Sequence, residues 1–185
     1  MASSGFVYPG TIADDAGGGG GDWGGTIANV AADDGTYALA FYSFLNFGPS
    51  TQILCTNFGF TIPAGTIDGV VVEIERYTDS GSWNEADHQV QLIKGGTAQG
   101  ANKANQPSGS WPTTPTNGGY GGIGDTWSLT LTPADVNASN FGVAVAVTGD
   151  NPGKSGYNMY IDFIRITIYY TAGGASNTTN FFQFM

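Results

Sequence analysis

The sequence predicts an all-β protein: an antiparallel β-sandwich, jelly-roll-like, of about eight strands with extended arms at both ends. Three observations lead there. Charged residues make up only 11% of the 185 residues, while Gly numbers 30 and aromatics reach 13%, a composition that favours turns and pleated strands over helices. Runs with an apolar side chain at every second position recur along the chain. Clusters of Gly, Pro, Asn and Asp punctuate those runs where the chain has to turn.

The elements follow in chain order. Residues 1–35 read as an extended Gly-rich arm, because the consecutive glycines from Gly17 to Gly21 lose more backbone entropy on ordering than any other residue type. Trp23, within this arm, reads as an anchor that docks into a partner. The sandwich domain is assigned to residues 36–171. It opens with an aromatic run over 36–45 (Tyr37, Phe41, Tyr42, Phe44) and a second run over 52–60. The clearest strand covers 67–77, with Val70, Val72 and Ile74 on one face and Val71, Glu73 and Glu75 on the other. Residues 88–94 repeat the pattern with Val90 and Leu92 inward. Residues 95–124 read as loop, where Trp111-Pro112 and Thr114-Pro115 favour extended chain. A further strand is expected over 126–131. Thr132 followed by Pro133 predicts one short helical turn. Phe141, Val143, Val145 and Val147 then alternate with Gly142, Ala144 and Ala146. The last strand, 158–171, sets Ile164, Ile166 and Ile168 inward and Arg165, Thr167 and Tyr169 outward. Residues 172–185 form a C-terminal tail, a polar spacer that ends in Phe181, Phe182, Gln183, Phe184 and Met185. Such an apolar cluster is a sticking hazard unless a partner covers it.

The charge balance narrows the function. The formal net charge is −10, with five basic residues and no cluster among them. Binding to nucleic acid needs clustered Lys and Arg to displace counterions, so no nucleic-acid partner is expected. No apolar run approaches the roughly 20 residues of a membrane span, so no membrane insertion is expected. The N-terminal residues show no signal-peptide pattern. Cys55 is the one cysteine, which rules out an intrachain disulfide and reads as a small buried hydrophobe. One Cys and one His make a zinc site improbable. Asp14, Asp15, Asp22, Asp33, Asp34 and Asp162 offer the hard oxygens that calcium takes, but no calcium-loop pattern frames them. No metal and no cofactor are expected.

Two kinds of chemistry are then weighed. Glu73 and Glu75 project from one strand face, and paired carboxylates serve glycosidases. The competing reading, which we favour, is that these are solvent-face acids with one of them paired to Arg165 across strands. His88 has no sequence neighbour that marks it as a base. Trp83, Trp111 and Tyr120, together with Tyr77 and Tyr157, lie in or beside loops and are candidates for stacking on a glycan. Trp127 reads as core.

One stretch carries a resemblance. The run from Asn57 through Pro63, then Ile67-Asp68-Gly69-Val70-Val71-Val72-Glu73-Ile74-Glu75-Arg76, is similar to a β-sandwich module of tailed-bacteriophage virion proteins. So are Val90-Gln91-Leu92-Ile93-Lys94-Gly95-Gly96, Tyr120-Gly121-Gly122, Trp127, the segment from Asp135 to Val143, and the segment from Tyr160 to Thr171. Such modules occur in capsid decoration (cement) proteins and in head or tail fibres. The resemblance implies a non-enzymatic structural protein on the outer surface of the particle, made in the host cytoplasm. No long stalk or heptad repeat accompanies the module, which points to decoration. The implied partners are the major capsid protein and copies of this chain, as a trimer, with Phe6, Tyr8, Trp23, Phe181, Phe182, Phe184 and Met185 as the assembly contacts. The alternatives are a fibre or receptor-binding module that contacts host-surface glycan, and a glycan-active enzyme.

Overall fold

The alternating apolar positions place the chain in two antiparallel sheets packed face to face. The structure is a computed structural model and describes residues 1–15, 21–24, 26–43, 48–80, 85–104, 111–149 and 156–174. Its strands are β1 (Ala2–Val7), β2 (Thr11–Asp15), β3 (Ala38–Tyr42), β4 (Gly48–Pro49), β5 (Gln52–Thr56), β6 (Gly65–Thr78), β7 (Ala86–Lys94), β8 (Thr97–Ala98), β9 (Thr116–Gly122), β10 (Gly142–Gly149) and β11 (Tyr157–Ala172). The first sheet has the order β1-β11-β6-β9, with β3 also pairing β11. The second has the order β2-β5-β10-β7-β8, with β4 also pairing β10. From β1 onward the chain changes sheet at most of its connections, so sequence neighbours face each other across the core.

That core comes from both inner faces. Val70, Val72, Ile74, Ile164, Ile166 and Ile168 line the first sheet, and Ile53, Cys55, Val90, Leu92, Val143 and Val145 the second, all buried. Removing each such side chain from water stabilises the fold by about 1.5–3 kcal/mol. Trp127 joins the cluster as its sequence context suggested, its indole Nε1 donating to the carbonyl of Val70 at 2.9 Å. In β10 the second face is buried as well: Ala144 and Ala146 are small and lie between β5 and β7. The short helix α1 (Pro133–Asn137) starts where Thr132-Pro133 predicted it, with a reciprocal capping box. The Asp135 amide donates to Oγ1 of Thr132 at 3.2 Å, and the Thr132 amide to Oδ2 of Asp135 at 2.8 Å.

Several expectations need correction. Residues 1–35 are not a free arm. β1 pairs with β11 and β2 pairs with β5, so this segment adds one strand to each sheet. Edge strands leave unpaired amides and carbonyls, and neighbouring strands recruit them. Trp23 is 0% exposed and belongs to the core, with its Nε1 donating to the carbonyl of Thr51 at 2.9 Å. Burial of so large an apolar surface outweighs the cost of ordering a Gly-rich chain. Residues 126–131 do not form a strand: Trp127 and Ser128 adopt left-handed backbone, with φ of 59° and 60°, which breaks a pleated run. The loop expected over 95–124 contains β9, a strand built on Thr-Asn-Gly-Gly-Tyr-Gly-Gly. Pairing with β6 overrides the poor strand propensity of glycine. At Gly121 a Cβ would meet the backbone carbonyl of Val70, and φ is +78°, so glycine is favoured there.

Candidate binding face

The outer face of the first sheet carries a continuous row of aromatic and charged side chains. It is set by β6 and β11, which lie side by side in antiparallel register. At one end, Arg165 is the register partner of Glu73, and its Nε lies 3.1 Å from Oε2. The Arg165 guanidinium carbon sits 4.3 Å from the ring centroid of Phe6 and 4.4 Å from that of Phe163. Its Nη1 also approaches the Tyr8 hydroxyl at 3.4 Å and Asp33 at 3.8 Å. Of the two glutamates read as candidate cross-strand partners of Arg165, the structure pairs Glu73 with it.

One row further along, a β-bulge between Ile161 and Ile164 interrupts the register with β6. The Asp162 carboxylate is buried there and accepts the Gly35 amide on both oxygens, at 3.2 Å each. Glu75 lies beside Asp162. Burial, then the charges of Asp162 and Asp33, raise the Glu75 carboxyl above its ordinary value. Among the described residues, no group of three or more His, Cys, Asp or Glu side chains has the arrangement to hold a metal ion.

The next row is aromatic. Tyr77 and Tyr160 are register partners whose rings stack at 4.4 Å and 6°. Tyr37 meets both nearly at right angles, at 5.1 and 6.0 Å. All three rings are half-buried, and burial raises all three phenols, with a further push from Asp162 and Glu75 at Tyr37 and from Asp79 at Tyr77 and Tyr160. The hydroxyls therefore stay protonated as hydrogen-bond donors. Asp79 closes the row. It is exposed, and its oxygens accept the Asn158 amide at 2.8 Å, the Asn158 side-chain amide at 2.7 Å and the Tyr160 hydroxyl at 3.3 Å. Phe41, 47% exposed, pairs with Asn158 from β3.

The residues singled out from the sequence have different fates. Phe6 is 56% exposed and lies on this face, with Tyr8 half-buried beside it, and both are engaged by Arg165 within the chain. Tyr77 belongs to the aromatic row. Trp111 and Tyr120, proposed for stacking on a glycan, are instead 3% and 6% exposed. They point between the sheets and share one acceptor, buried Asp87: Trp111 Nε1 donates to it at 3.1 Å and the Tyr120 hydroxyl at 2.7 Å. Arg76 lies 3.7 Å from the same carboxylate and over both rings. Buried polar groups demand partners, and these loop aromatics meet that demand. Tyr157 is buried and stacked on Tyr42. Cys55 is buried, and burial pushes its thiol far up, so it is no nucleophile. Trp83, Phe181, Phe182, Phe184 and Met185 lie outside the described residues.

Sequence reading did not assign Tyr37, Tyr160 or Asp79 to this face, and weighed Asp162 only as a calcium ligand. Counting by twos from Ile164, Ile166 and Ile168 puts Tyr160 and Asp162 inside the core. The bulge flips them to the outer face. A carboxylate at a nominal core position was the available signal that the alternation breaks there.

No protein-family model matches the sequence, and no curated protein matches it. Among solved structures, the chain is similar to the second N-terminal cellulose-binding domain of a Cellulomonas fimi β-1,4-glucanase C. The identity is 14%, over 91% of this chain and 88% of that one, with a TM-score of 0.39. A superposition this loose does not distinguish one sandwich from another.

Proposed function

We propose that this protein is a non-catalytic binding module that holds a glycan on the outer face of its first sheet. The observation that carries this reading is the Tyr37, Tyr77 and Tyr160 group with Phe41 beside it and Asp79 and Asn158 at its rim. Tyrosines give rigid, amphipathic contact area at low entropy cost. A few fixed polar groups around an apolar surface orient a ligand. The state of the carboxyls supports binding without turnover. Glu73 is taken up by Arg165 across the strands, so it is not free as a nucleophile. Alanine at Tyr77 or Tyr160 is expected to weaken binding on a glycan array by about tenfold per ring, a loss on the scale of one aromatic contact. Unchanged binding in both variants, with the fold intact by circular dichroism, would overturn the reading.

A second reading concerns where the module works. The resemblance to phage virion modules and the apolar residues Phe181, Phe182, Phe184 and Met185 favour a capsid decoration protein displayed on the outer shell, with the major capsid protein and further copies of this chain, as a trimer, for partners. Since β1 and β2 belong to the sandwich, attachment in this reading falls to the C-terminal tail and not to two arms. Deleting residues 174–185 is expected to lower occupancy on undecorated shells while leaving the sandwich folded. Full occupancy by the truncated chain would remove the tail from the mechanism.

A further inference from the structure

The charges around the aromatic row narrow the class of glycan, on the reading that this face binds one at all. Asp33, Glu73, Glu75, Asp79 and Asp162 share this face with the three tyrosines, and the cation among them, Arg165, is taken up by Glu73 and Asp33. Asp79 differs from the other four. Glu73 has Arg165, Asp33 shares it, Asp162 is buried and accepts the Gly35 amide, and Glu75 lies beside Asp162. Asp79 is exposed at the edge of the Tyr77–Tyr160 stack, held in place by three donors, and it forms no ion pair among the described residues.

We infer that the ligand of this face is an amine-bearing glycan, with a sugar ring against Tyr77 and Tyr160 and its ammonium group on the Asp79 carboxylate. A fixed carboxylate gains a strong, charge-assisted hydrogen bond from an ammonium without having to be reoriented. Tyrosine rings attract the same cation through their faces. The surrounding carboxylates repel uronic or sialic acids.

The test is calorimetric titration of the full-length protein with three oligosaccharides of equal length: a glucosamine oligomer with free amines, its N-acetylated form, and a polyuronate. It is run at mildly acidic pH, where the sugar amine carries its proton. The free-amine oligomer is expected to bind about tenfold tighter than the acetylated one, and the polyuronate not measurably. This preference is expected to shrink between about 50 mM and about 500 mM salt. It is also expected to vanish in Asp79→Asn, which removes the charge and keeps one acceptor oxygen for Asn158. Equal affinity for the free-amine and acetylated forms, lost on Tyr77→Ala, would overturn the charge assignment and leave the glycan reading standing. Free-amine binding that survives Tyr77→Ala is diffuse attraction to an acidic protein and overturns the assignment. Binding of none of the three overturns it, and an empty glycan array would overturn the broader reading as well.

Discussion

Arg165 and Glu73 face each other across β11 and β6 with a guanidinium Nε to carboxylate distance of 3.1 Å. The pair is more than a surface ion pair, because the same guanidinium lies against both Phe6 and Phe163. It ties β1, the first strand of the chain, to the outer face of β11. Arg165→Met is therefore expected to cost more than Glu73→Gln. A double-mutant cycle by urea denaturation is expected to show a coupling of about 1 kcal/mol, because the pair is only partly exposed and well aligned. Zero coupling would reduce the contact to packing alone.

Trp23 tests whether the N-terminal segment is arm or core. As a buried core residue, Trp23→Ala is expected to destabilise by about 3–5 kcal/mol, a melting shift on the order of 10 °C for a chain of this size. An anchor reaching for a partner would leave the isolated protein's melting temperature unchanged.

Glu75 gives the fold a pH dependence of definite sign. Its carboxyl is raised above the ordinary 4.5 by burial and by Asp162 and Asp33, so the folded chain holds the proton more tightly than the unfolded chain does. That stabilisation is complete below the ordinary value and is lost as the pH rises through the raised one. Glu75→Gln removes the like-charge contact and is expected to add up to about 1 kcal/mol at neutral pH. Thermal melts from neutral to acid pH are expected to show the gain shrinking on acidification. A gain that stays constant with pH would detach Glu75 from the carboxyl pair.

Asp87 predicts how the buried aromatics behave. Trp111→Phe and Tyr120→Phe each remove one donor from the same carboxylate, at an expected cost of about 1–3 kcal/mol apiece. Because they share an acceptor, their effects are expected not to add. Glycan affinity is expected to be unchanged in either variant, since both side chains point between the sheets. A loss of affinity at constant stability would return them to the binding surface.

The fold was largely legible from period-2 patterning, because β6, β7, β10 and β11 are long and their apolar positions are unambiguous. β1 and β2 were not, since Ser3, Ser4, Gly5 and Ala13 carry little hydrophobic signal and become strands only by pairing with β11 and β5. β9 was hidden for the same reason, its glycines taking their conformation from β6. The binding face was half legible. Tyr77 and the pairing of one of Glu73 and Glu75 with Arg165 follow from simple alternation, whereas Tyr160 and Asp162 depend on a bulge that no count by twos reveals. Exposure of Trp111 and Tyr120 was misread because their buried acceptor, Asp87, lies far away in sequence.

The pairing of β1 with β11 also constrains how the molecule is made. The first strand finds its partner only after residues up to Tyr170 have left the ribosome, and β2 meanwhile has β5 within reach. The first sheet therefore closes only once β11 has been made. Until then β6 lacks β11 as a neighbour, and its apolar face stays open to other chains. Rapid production at high concentration is expected to favour aggregation of nascent chains over that of the finished sandwich, a liability set by strand order and not by the composition of any one strand.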